Sequence, residues 1–176
     1  MGVSKFSRKL FGASVEKHAK LLMNEKPRLL KKYNDGNLRK EIAALDTKFI
    51  SLAPMALCES ILTDLGVPGP EDLLTGIGLM AFHISTHDDL INERPENKET
   101  CAALLYSGNI LLLEGIERLI KAGYARVLPS LLDSIRTNHL MQQRVVNILF
   151  RTKRPTIAQY NEGIRHIVSC FGEVFF

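Results

Sequence analysis

This chain is short of the features by which most function classes announce themselves. It holds three cysteines in 176 residues, Cys58, Cys101 and Cys170. An odd number at wide spacing suggests neither a disulfide framework nor a zinc knuckle and suits a reducing, cytoplasmic compartment. No apolar run approaches the roughly 18 residues that a membrane span needs, because Glu114, Asp133 and Arg136 interrupt the richest stretches. Sustained apolar–polar alternation is missing, as is an Asn-Gly or Asp-Gly hairpin between β-branched runs, so no sheet is expected. No repeat, low-complexity segment or linker divides the sequence. The first fourteen residues, MGVSKFSRKLFGAS, contain no acid, yet they lack the long apolar segment of a secretory signal. Their basic, Ser-containing character leaves an organelle address as the alternative to the cytoplasm. Phe6 stands where myristoylation requires Ser or Thr, which excludes that lipidation.

What is present is helical. Hydrophobic residues make up 45% and charged residues 24% of the chain, the balance of one globular domain with a sizeable core. Charge is uneven: residues 1–48 carry 12 Lys or Arg against 5 acids, a net +7, and residues 49–176 carry a net −3. The basic residues of the first segment fall on several sides of a helix without aromatic interleaving, so a solvated helix is favoured and nucleic acid is not an expected partner.

Val15, Ala19, Leu22, Leu29 and Leu30 approach helical spacing and predict a first helix over Val15–Tyr33, stopped at Asn-Asp-Gly. A second is predicted over Leu38–Leu65, bent or broken around Pro54. Further helices are expected over Glu71 to about Ile91, Thr100–Ala122, Pro129 to about Phe150, and from Ile157 onward. The expected class is therefore all-α, an antiparallel bundle of about six helices with short connections.

Within the third helix, Ile77, Ala81, Ile84, Asp88 and Ile91 or Asn92 recur at three and four residues, which places Asp88 on an apolar stripe. Asp89 is adjacent, and both lie near a helix C-terminus, where negative side chains are disfavoured. A buried carboxylate needs a cation or a partner. Asp88, Asp89, Asn92 and Glu93 offer oxygen ligands of the kind that Mg²⁺ prefers alongside water and phosphate. A solvated polar helix end is the plainer alternative.

The segment HDDLIN, followed by KETCAALLYSGNILLLEGIERLI, resembles the first aspartate-rich region of the trans-isoprenyl diphosphate synthases, within the class I isoprenoid (terpenoid) synthase fold. In that family a His precedes Asp-Asp-x-x-Asp, and a Thr then opens a helix bearing a Gly-rich apolar segment. His87, Asp88, Asp89, Thr100, Gly108 and Gly115 stand in roughly those places, the last after a one-residue gap. KFISLAPMALCESILTDLG looks like the family's second helix, and TIAQYNEGIRHIVSCFGEVFF like a later one. The resemblance implies an isoprenoid-synthase-type bundle over residues 1–176 that performs Mg²⁺-dependent isoprenyl diphosphate chemistry, either prenyl transfer or terpene-synthase-like ionisation. Asp88 and Asp89 would be its catalytic, metal-holding pair, and an allylic diphosphate its substrate. Phe82, Ile84, Leu112 and Phe150 would line an apolar cavity, with Lys48, Arg94, Gln142 and Gln143 as diphosphate contacts.

The sequence also departs from the family. Asn92 replaces the third acid, the basic groups that clamp diphosphate are reduced to Lys48 and Arg94, and Ile167-Val168 stands where a Lys-Thr pair is usual. A non-catalytic regulatory or structural subunit is therefore the alternative function. No second metal-binding cluster faces the first, so further helices beyond Phe176, or a homo- or hetero-oligomeric partner, are expected to complete the bundle.

Two other features carry chemistry. His83 and His87 are four residues apart, a spacing that permits a shared metal and leaves a metal-dependent phosphohydrolase as the remaining enzyme alternative; packed histidines are the plainer reading. Arg-Thr-Lys-Arg-Pro at 151–155 reads as a basic loop able to attract an anionic substrate.

Overall fold

The computed structural model describes residues 5–34, 36–45, 49–92, 98–147 and 156–162. The protein is all-helical, with no strand among these residues. In chain order the elements are α1 (Lys5–Lys32), α2 (Gly36–Ala44), α3 (Phe49–Asp64), α4 (Glu71–Asn92), α5 (Lys98–Lys121), a 3₁₀ turn (Ala125–Val127) and α6 (Leu128–Val146). Residues 157–162 are also helical. No helix of the described residues is long and apolar enough to cross a membrane.

Two of these boundaries differ from the sequence expectation. α1 begins at Lys5 rather than Val15, so the acid-free basic segment continues the helix. The expected Leu38–Leu65 helix is two helices, and the interruption falls before Phe49 instead of at Pro54. Pro54 lies inside α3, where its missing N–H costs one backbone bond to Ile50. Burial of Leu52, Met55 and Ala56 around it offsets that loss. The turns predicted at Gly66 and at Ala122–Tyr124 are where expected, while the loop at 93–97 and the basic loop at 151–155 lie outside the described residues. Gly66 and Gly123 adopt φ of 70° and 84°, and each closes its helix with a paired C-terminal motif. Gly66 N–H donates to Thr63 O and Val67 N–H to Leu62 O, while Gly123 and Tyr124 repeat the pattern on Ile120 and Leu119.

The chain groups into two compact units, Met1–Ala125 and Arg126–Phe176. In the first, α1, α3 and α5 pack around α4, which is buried at every residue from Leu74 to Thr86, and α2 packs on α5 and α1. A helix buried on all sides is a core helix, not an amphipathic surface one. The core cluster it joins includes Val15, Leu22 and Leu29 of α1, Leu38 and Ile42 of α2, Leu52 and Met55 of α3, and Leu111 of α5. The α4–α5 contact is the most extensive in the unit, and it is made possible by glycine. A Cβ at Gly115 would meet Gly76 O at 2.8 Å and Met80 Cγ at 2.7 Å, and one at Gly76 would meet Leu119 Cδ2 at 2.7 Å.

In the second unit α6 opens with Pro129 in its first turn, as expected. Leu128, Ile135, Asn138 and Val145 form its buried face.

Candidate functional site

The central helix determines what its C-terminal end presents. Because α4 is buried on all sides, membership of the Ile77–Ala81–Ile84 stripe does not single out a face for Asp88. Position along the helix decides instead: burial ends at Thr86, and His87, Asp88, Asp89 and Leu90 are half-buried. The structure thus brings Asp88 and Asp89 to one partly accessible helix end, at the negative pole of the helix dipole. Asn92 is the last residue of α4. Its side chain, together with Lys48, Glu93, Arg94 and Phe150, lies outside the described residues.

One turn further in, Phe82 and Ile84 are 0% and 1% exposed, and Phe82 belongs to the main core cluster. Neither side chain presents accessible surface, so a bound chain at that level would have to displace packed groups. Leu112 on α5 is half-buried. Gln142 and Gln143 belong to the second unit, where Gln142 is half-buried and hydrogen-bonded to His139, and Gln143 is exposed. Burial lowers the His139 pKa, and the Gln142 bond opposes that shift. Among the resemblance positions on α5, Thr100 is exposed, whereas Gly108 and Gly115 are buried against α4.

A dense set of interacting charges among the described residues lies elsewhere in the first unit, one that the sequence pattern alone did not single out. Glu114 is 2% exposed in the middle of the apolar run of α5. Its carboxylate accepts from Arg28 Nη2 at 2.7 Å, Lys32 Nζ at 2.5 Å and the Tyr33 hydroxyl. Glu25, also buried, pairs with Arg28 Nε at 2.8 Å and with Arg118, whose Nη2 reaches Asp72 at 2.8 Å. Lys32 and Lys121 share Glu117 at 3.2 and 2.5 Å.

Burial by itself would raise the Glu114 carboxyl, but hydrogen bonds from Lys32, Tyr33 and Arg28 outweigh it and hold the pKa below the ordinary value. Lys32 is raised correspondingly, first by its bond to Glu114. The Tyr33 hydroxyl is raised by burial and by the same carboxylate.

A pocket of about 270 Å³ opens beside this network, lined by Arg28, Asp72, Glu114, Glu117, Arg118 and Lys121. Each cation on its wall already has a carboxylate. The arrangement is therefore an interlock of α1 with α4 and α5 rather than an open anion site. The interruption of NILLLEGI by a single acid was the available signal, since an acid on the buried side of a helix must find cations.

Comparison with protein-family models, with curated proteins and with solved structures gives no match. The functional reading accordingly rests on the chemistry of the residues at the end of α4.

Proposed function

We propose that this protein performs Mg²⁺-dependent chemistry on an allylic isoprenyl diphosphate, by prenyl transfer or by ionisation. One observation carries the reading: a helix buried from Leu74 to Thr86 delivers two adjacent carboxylates, Asp88 and Asp89, to its half-buried C-terminal turn. The donor set suits the ion. Hard oxygens on a partly accessible helix end leave room for the waters and phosphate oxygens that Mg²⁺ retains. Asp88 and Asp89 would hold it, and the chemistry it supplies there is neutralisation of charge on a departing diphosphate. Asn92 and Glu93 extend the oxygen donors in sequence, and Lys48 and Arg94 remain the proposed diphosphate contacts. A partner subunit or further helices would complete the site.

The tight packing around Phe82 and Ile84 favours a second reading, a non-catalytic partner subunit that retains the helical fold without a substrate cavity.

Pyrophosphate release separates the two. The chain is incubated with Mg²⁺ and ten-, fifteen- or twenty-carbon allylic diphosphates, with and without isopentenyl diphosphate. Mg²⁺-dependent release supports the enzyme, and its absence, alone and with added synthase subunits, rules it out. Binding is tested separately by thermal melting. Mg²⁺ with a diphosphate at about 100 times its Kd should stabilise the fold by about 2.7 kcal/mol. Asp88→Ala with Asp89→Ala should remove that shift while leaving the apo protein as stable or more so. An identical ligand-induced shift in the double variant would sink the assignment.

A further inference from the structure

Polar residues are concentrated in the last buried turn of α4. Thr75 aside, the helix is apolar or glycine from Leu74 to Phe82 and then reads His83, Ile84, Ser85, Thr86, His87. His83 is 2% exposed and His87 half-buried. Their rings are 4.3 Å apart between centroids, tilted by 56°, and a ring nitrogen of one lies within 4.8 Å of a ring nitrogen of the other. Two nitrogens bound to one tetrahedral zinc are about 3.4 Å apart, from bond lengths of about 2.05 Å. Converging on a common ion therefore needs a modest rotation of the half-buried ring and no movement of the helix.

The fold makes room for this turn. A Cβ at Gly108 of α5 would lie 2.0 Å from Thr86 Oγ1 and 3.4 Å from His83 Nδ1. Only a residue without a side chain lets α5 cover the pair as closely as it does. Thr86 Oγ1 donates to His83 O at 2.8 Å, so the hydroxyl is held on the backbone of its own helix.

We propose that His83 and His87 form a bidentate site for a borderline divalent transition ion, of which Zn²⁺ is the representative. Imidazole nitrogen suits zinc and its neighbours, and carboxylate oxygen suits magnesium. The site thus differs in donor chemistry from the Asp88–Asp89 pair, which directly follows His87 in sequence and adds negative potential that attracts a cation. Two of the four zinc positions remain for water or an exchangeable ligand. The proposal does not depend on the diphosphate reading.

The test uses the full chain, freed of metal by chelation. Zn²⁺ should raise the melting temperature at micromolar concentrations at which Mg²⁺ has no effect, and Co²⁺ should give visible absorption bands characteristic of nitrogen ligation. His87→Gln should weaken the Zn²⁺ response by about tenfold or more and abolish the Co²⁺ bands. Because His87 is half-buried, this variant is expected to fold. His83→Gln should do the same where it folds. Asp88→Ala with Asp89→Ala should keep the cobalt spectrum and lose the Mg²⁺–diphosphate shift. An unchanged Zn²⁺ response and cobalt spectrum in His87→Gln would overturn the site, as would the absence of any Zn²⁺ response in the wild type. Failure of the diphosphate assay alone would leave it standing.

Discussion

Glu114→Ala is expected to destabilise the fold by about 3 kcal/mol, lowering Tm by roughly 10 °C. The size follows from the asymmetry of the cluster. Loss of one partner from a buried ion pair costs about 3 to 5 kcal/mol, because the remaining charge is stranded. Here the acid is the buried member, whereas Arg28 and Lys32 are 43% and 44% exposed and recover water when it is removed. The lower end of the range therefore applies. Glu114→Gln retains the shape and one acceptor and should cost less than Glu114→Ala.

The same residue gives the stability a pH dependence of defined sign. The folded carboxyl lies below its ordinary 4.5, so its contribution is complete above about pH 4.5 and disappears as the pH falls through the folded value. Wild type should lose stability over that window more steeply than Glu114→Gln, and the two curves should converge at the acid end. Parallel curves in urea melts between pH 6 and 3 would show that Glu114 is not held ionised by its three donors.

The sequence made the helices legible more readily than their environment. Periodicity located α4, α5 and α6 closely, and Gly66 and Gly123 ended helices because a left-handed residue is needed there. Pro54 misled because proline propensity is local, while the burial of Leu52 and Met55 that holds α3 together comes from other helices. Asp88 was legible as a helix-end acid. Which way it faces could not be read from a stripe, because a stripe has meaning only on a helix with an exposed side. Glu114 was the opposite case. Its partners Arg28, Lys32 and Tyr33 are more than 80 positions away in sequence, and no local pattern marks a pairing of that range.

Gly115 should be the least replaceable residue of the α4–α5 contact. Gly115→Val is expected to cost about 4 kcal/mol and Gly115→Ala about 2 kcal/mol. The cost of a small side chain depends on what it would strike. At Gly108 the nearest atom is the Thr86 hydroxyl and at Gly76 it is a methyl of Leu119, side-chain atoms in both cases. At Gly115 the obstacles include Gly76 O at 2.8 Å and Met80 N at 3.2 Å, backbone atoms of a helix held by the whole core. Relief then requires α5 to move away from α4, which opens space along their entire length. Replacing glycine within a helix returns about 1 kcal/mol of propensity, so the measured loss is net of that gain. Gly36, at the start of α2, is the matched control: no atom would meet its Cβ within 4 Å, and Gly36→Ala should be neutral or slightly stabilising. Urea midpoints for the three variants decide the matter. A Gly115→Ala protein as stable as Gly36→Ala would mean that the two helices are not in backbone contact at this position.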